Sequence, residues 1–160
     1  MKLNDLLKEL YEKDFYLEFA RNYRDMFLSA GFFVFDIDEN KIKTQLDFFI
    51  PSLNKIAIVE HPFNEIKLQN DEIRDARQLN ENLKVDIDEI VDRVLDLQRK
   101  NNNSMRISKI IGILKDDIWN LTCMSSAMDI LKIQVNSLTG ICEKFEKANL
   151  MDYIDIRKKK

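Results

Sequence analysis

Three groups of side chains in this 160-residue sequence have the types and spacing to carry chemistry. His61, the only histidine, stands beside Glu60 and near Glu65, as a general base or one corner of a metal site would. A lone histidine cannot complete the nitrogen- and sulfur-rich set that zinc takes, although carboxylates could contribute oxygens. His61-Pro62 also reads as a strand-to-helix junction. Asp36-x-Asp38-x-Asn40 matches the opening of a calcium loop, but Lys41 stands where that loop needs glycine and Asp47 where it needs a bidentate glutamate. A solvated hairpin turn fits those residues better. An aromatic stripe, Tyr16, Phe19, Tyr23, Met26 and Phe27, could line a cofactor or stack on bases, though aromatics at helical spacing mostly pack a core.

Other chemistry is absent from the sequence. It holds no glycine-rich phosphate loop, no nucleophile elbow and no Cys/His metal spacing, so neither an enzyme nor a cofactor or metal is expected. Cys123 and Cys142 fall on one predicted helix, about 28 Å apart. A disulfide needs Cα atoms within about 7 Å, so both are read as buried thiols.

The elements that must position these residues follow from composition and period. A formal net charge of −3 offers no footprint for nucleic acid or an anionic membrane. Three glycines and two prolines leave little room for irregular loop in what reads as a single domain. The opening Met-Lys-Leu-Asn-Asp-Leu-Leu-Lys mixes charges into its apolar pattern, unlike a signal peptide or membrane span, and cytoplasm is the expected compartment.

The spacing predicts a first helix over 1–30, with Leu3, Leu6, Leu7, Leu10 and Leu17 on one stripe and Gly31 as its stop. Phe32–Ile37, Lys41–Ile50 and Lys55–Glu60 are β-rich and predict a three-stranded antiparallel meander over 32–60. Residues 64–100 return to helical spacing, with Ile73, Ala76, Asn80, Leu83, Ile87, Ile90, Val94 and Leu97 at heptad a and d positions and Asn80 as a register device. After the polar run Gln98–Asn103, Ser104 caps a long helix through Lys147. Its seam steps by threes and fours through Ile107, Ile110, Leu114, Leu121, Met124, Met128, Leu131, Val135, Leu138, Cys142 and Phe145, broken only at Asp117. That helix would be roughly 65 Å long. The expected fold is therefore mainly α with a small β part: an elongated three-helix bundle built on a long antiparallel hairpin, with glycines 112 and 140 as possible bends and a tail over 149–160 of apolar residues and a basic end (Arg157–Lys160).

Apolar residues off that seam are the candidate partner-binding set: Ile111, Ile118, Trp119, Ile130 and Ile133. Uncovered apolar surface with an aromatic anchor marks a partner site. The order of elements, a leading helix, a sheet over Phe32–Glu60 and a helical hairpin, resembles the epsilon-proteobacterial flagellar co-chaperone that partners the flagellin chaperone FliS. That resemblance implies binding to FliS, support of its folding and a part in flagellar protein export. It carries over no residue role. The expectation is thus a non-enzymatic adaptor or co-chaperone, monomeric or weakly dimeric alone, that binds a helical protein partner and no nucleic acid or membrane. The other reading is a structural coiled-coil subunit of a homo-oligomer or larger assembly.

Overall fold

Strands, not helices, dominate the chain. In the computed structural model, which describes residues 1–70 and 75–149, α1 (Leu3–Tyr11) and α2 (Asp14–Asn22) lead into four strands, β1 (Phe27–Asp36), β2 (Lys41–Ile50), β3 (Lys55–Glu60) and β4 (Lys67–Gln69). An irregular stretch over 75–86 and a short 3-10 turn (Ile87–Glu89) then lead into α3 (Ile90–Lys100). Four more strands follow: β5 (Lys109–Lys115), β6 (Ile118–Met124), β7 (Asp129–Asn136) and β8 (Cys142–Asn149).

All eight strands form one antiparallel sheet in the order β4-β3-β2-β1-β5-β6-β7-β8. The chain therefore repeats one plan, helix then four-stranded meander, and the two halves meet where β1 pairs with β5. Four of the six hairpins close on Asn, Asp or Gly in a left-handed backbone, at Asn40, Asn54, Asp116-Asp117 and Gly140, while Phe63 and Met128 take positive φ in the other two. The tightest is Asp116-Asp117 between β5 and β6, with φ of 52° and 62° at its two residues. Two residues with positive φ match the twist of the strands they join, and aspartate accepts that conformation more readily than most side chains.

Alternation sorts each strand into two faces. Phe33 and Phe35 of β1, Leu46, Phe48 and Ile50 of β2, Ile110 and Leu114 of β5, Trp119 and Leu121 of β6, and Leu131, Ile133 and Val135 of β7 point to one side and are buried. Helices cover that side. The stripe Leu3, Leu6, Leu7 and Leu10 of α1 and the stripe Ile90, Val94 and Leu97 of α3 join the strand residues in a single core. Phe15, Tyr16, Phe19, Tyr23 and Met26 pack at its margin.

Gly31 makes room in this core. A Cβ there would stand 2.6 Å from the Phe33 ring, which is itself wedged against Trp119 at a centroid distance of 5.3 Å. Gly31→Ala should therefore destabilise by about 1–3 kcal/mol, the usual range for overpacking, read as a lower urea midpoint with an unchanged slope. A neutral result would mean that the Phe33 ring can move.

The structure overturns the helical-bundle expectation. The span 104–147, predicted as one helix, holds four strands, so the described residues form no helical rod and carry no coiled-coil seam. Among the described residues of 64–100 only Ile90–Lys100 is α-helical, and Asn80 lies in an irregular stretch, where its side chain accepts the Asn82 amide at 2.9 Å. The first predicted helix is two short ones, and Gly31 is mid-strand rather than a helix stop. Strands do run through 27–60, but as part of the eight-stranded sheet. Gly112 bends nothing and sits in β5, while Gly140 closes the β7–β8 turn at φ 80°. Cys123 and Cys142 are free cysteines, on β6 and β8. Ile73 and the tail residues from Leu150 onward, including Arg157–Lys160, lie outside the described residues.

Candidate protein-binding face

The side of the sheet opposite the helices carries the second set of alternating residues. Strand register arranges them in rows. One row runs Glu60, Gln45, Phe32, Ile113, Asn120, Gln134 and Lys144 from β3 to β8. The next runs Lys43, Val34, Ile111, Thr122, Lys132 and Glu146. At the centre, Phe32 faces Ile113 and Val34 faces Ile111, a four-residue apolar ladder across the β1–β5 seam. All four are half-buried by their neighbours.

Polar side chains frame the ladder. Gln134 donates from Nε2 to Asn120 Oδ1 at 2.9 Å on the β6–β7 side. On the β2 side Phe32, Val34, Lys43, Gln45, Glu60 and His61 line a shallow groove. By register seven lysines (Lys41, Lys43, Lys67, Lys109, Lys115, Lys132 and Lys144) and four carboxylates (Asp36, Asp47, Glu60 and Glu146) belong to this face. Seven against four leaves the face positive on a chain whose formal charge is −3.

Asp47 is the exception to an otherwise solvated rim. It is only 7% exposed, between Ala30 of β1 and Ile58 of β3. Burial pushes its carboxyl above the ordinary aspartate range, while the Gln45 amide, donating to Oδ1 at 2.9 Å, and the charge of Lys115 pull it back. Because the folded-state value lies above the unfolded one, the folded chain holds the proton to higher pH than the unfolded chain. Stability therefore falls as pH rises from the unfolded value through the folded one. Asp47→Asn should be more stable than the parent at neutral pH, with the gap closing as pH drops through the carboxylate range. Thermal melts across that range would read this, and a gap independent of pH would overturn it.

The five residues singled out from the sequence divide between the two faces. Ile111, Ile118 and Ile130 lie on the helix-free face and are half-buried. Trp119 and Ile133, 0% and 1% exposed, lie in the core and cannot anchor a partner. The indole Nε1 of Trp119 donates to the Val85 carbonyl at 2.8 Å, so even its polar edge is occupied. Phe32, Val34 and Ile113, the centre of the face, were absent from that set. The alternation of Lys43, Gln45 and Asp47 along β2 was the signal for a two-faced sheet here.

The other chemistry-bearing residues make local contacts. His61 Nε2 stands 3.3 Å from Glu9 Oε1, and its ring meets Phe63 edge-on at 5.1 Å. Asp36 and Asn40 bracket the β1–β2 hairpin turn, where Asp36 Oδ1 accepts the Glu39 amide at 3.0 Å. Among the described residues no group of three or more His, Cys, Asp or Glu converges to hold a metal. Burial pushes the Cys123 thiol up to about 12, which keeps it protonated and unreactive at neutral pH.

One solved structure shares this architecture. A candidate lipoprotein from Clostridium difficile 630 superposes with a TM-score of 0.52 at 16% identity, covering 88% of this chain and 99% of its own. At that identity the likeness speaks for the fold alone. No family model matches the chain, and no curated protein matches it. The resemblance to the flagellar co-chaperone rested on a long helical hairpin, which the described residues do not contain, so its architectural ground is gone. Among the described residues no helix is long and apolar enough to cross a membrane.

Proposed function

We propose that this chain is a non-enzymatic protein-binding module whose helix-free sheet face receives its partner. The observation that carries the reading is the asymmetry between the two faces. Among the described residues helices cover one, whereas the other presents the Phe32–Ile113 and Val34–Ile111 ladder inside a polar frame. An apolar centre with a polar rim is the anatomy of a recognition surface. Eight strands span about 34 Å, and seven residues along them about 23 Å. As a flat rectangle the whole face is roughly 780 Å², comparable to the ~800 Å² per partner of a standard interface.

The partner class is protein. Nucleobase stacking wants a platform of rings, and the central ladder holds one ring, Phe32, among aliphatic side chains. Phe27 and Phe49, on the same face at the strand ends, pack edge-on against each other at 5.6 Å. Two free cysteines suit a reducing compartment, so the cytoplasm is the proposed site of action.

Paired substitution tests the reading. Ile111→Thr with Ile113→Thr keeps β-branched side chains in β5 and makes the β5 half of the apolar ladder polar. The double variant should lose no more than about 1 kcal/mol per site, since both residues are half-buried. It should fail to retain a protein that the parent chain captures from its native organism and binds again when both are purified. Equal retention by parent and variant would sink the assignment of this face.

A further inference from the structure

We propose that the partner is an acidic protein segment that lays apolar side chains along the Phe32–Ile113 ladder and sets carboxylates against the lysines around it. This rests on the protein-binding reading above and adds the chemistry of the partner. Charge carries it. The face has seven lysines to four carboxylates by register, on a chain that is net negative, so the remaining surface is the acidic one. Among the carboxylates Asp47 is buried and Asp36 half-buried, which leaves the exposed fringe more basic still.

Of the lysines nearest the ladder, Lys43 and Lys109 are the least committed, whereas the charge of Lys115 already acts on the buried Asp47. Lys43 stands beside Val34, and Lys109 and Lys115 end β5 on either side of Ile111 and Ile113. None of the three makes an ion pair within 4 Å among the described residues, whereas Lys144 at the far edge is paired with Glu146 at 3.1 Å. Complementary potential is what steers a partner and rejects wrong ones. A second copy of this face would bring like charges together around the ladder, so self-association through it is disfavoured.

The test uses the full chain with three fluorescent peptides that alternate leucine with glutamate, with glutamine or with lysine. The glutamate peptide should bind, shift the methyl resonances of Ile111 and Ile113, and bind at least about tenfold more tightly than the glutamine peptide, the sum expected of a few surface ion pairs. Lys43→Gln and Lys109→Gln together should erase most of that preference while leaving the melting temperature near the parent's. Added salt should erode the preference in the unmodified protein, a readout that does not depend on the variant folding. Equal binding of the glutamate and glutamine peptides would overturn the acidic partner and leave the protein-binding reading standing. Failure of all three peptides to perturb the ladder methyls would overturn both. Binding to phosphatidylserine vesicles with no response to the glutamate peptide would overturn the proposal in favour of a membrane surface.

Discussion

Trp119→Ala should remove about 3–5 kcal/mol of stability, the range for truncating a large buried aromatic. Against a total of about 5–15 kcal/mol for a domain of this kind, that is a large share of what holds the fold. Two losses combine. The indole is 0% exposed and packs at a tilt against Phe33 with centroids 5.3 Å apart, so its removal opens a cavity between β1 and β6. Its Nε1 also donates to the Val85 carbonyl at 2.8 Å, in the segment that turns the chain into α3, and alanine would leave that acceptor buried without its donor. Trp119→Phe separates the two contributions, since it keeps most of the ring and loses the hydrogen bond; it should cost about 1–3 kcal/mol. Urea denaturation reads both variants. A loss under about 1 kcal/mol for the alanine variant would remove Trp119 from the core.

Asp86→Ala should cost about 2–4 kcal/mol, because one carboxylate oxygen serves two helix starts. Oδ1 accepts the Leu3 amide at 2.8 Å, joining α1 to a residue 83 positions away, and the Ile87 amide at 2.8 Å, capping the turn that leads into α3. Asp86 is only 6% exposed, so both amides would be left in a dry environment. A buried donor stripped of its acceptor costs about 1–3 kcal/mol. Asp86→Asn keeps an acceptor oxygen and should recover most of the loss. Hydrogen exchange gives a second readout, with the first-turn amides of α1 exchanging faster in the alanine variant. Unchanged protection there would show that α1 is held by its leucine stripe alone.

Part of this structure was legible in the sequence, and specific residues show why the rest was not. The alternation over Lys41–Ile50 announced β2. From Ile110 onward a step of four residues belongs to both periods, one helical turn or two strand repeats, so Ile110 to Leu114 and Leu131 to Val135 satisfy either. Turn and outer-face residues such as Met124, Met128 and Leu138 filled the gaps and completed a false heptad. The stretch Ile110–Leu114 also hid its alternation, because its central strand is apolar on both faces. Asn120 and Thr122 between Trp119, Leu121 and Cys123 gave the true period, and Asp116-Asp117 gave the turn. The binding set suffered from the same confusion. On a helix Ile118 and Trp119 share one flank, whereas on a strand neighbours point to opposite sides, which sent one to the open face and the other to the core.

The palindromic strand order has a kinetic consequence. Six of the seven ladders join strands that are successive in the chain, so each meander assembles from short-range contacts. The remaining ladder, between β1 and β5, must close a loop that contains three strands and α3. Loop-closure entropy and contact order both place the slow step at that seam. Substitutions along it should retard refolding, while those in the outer hairpins should mainly hasten unfolding.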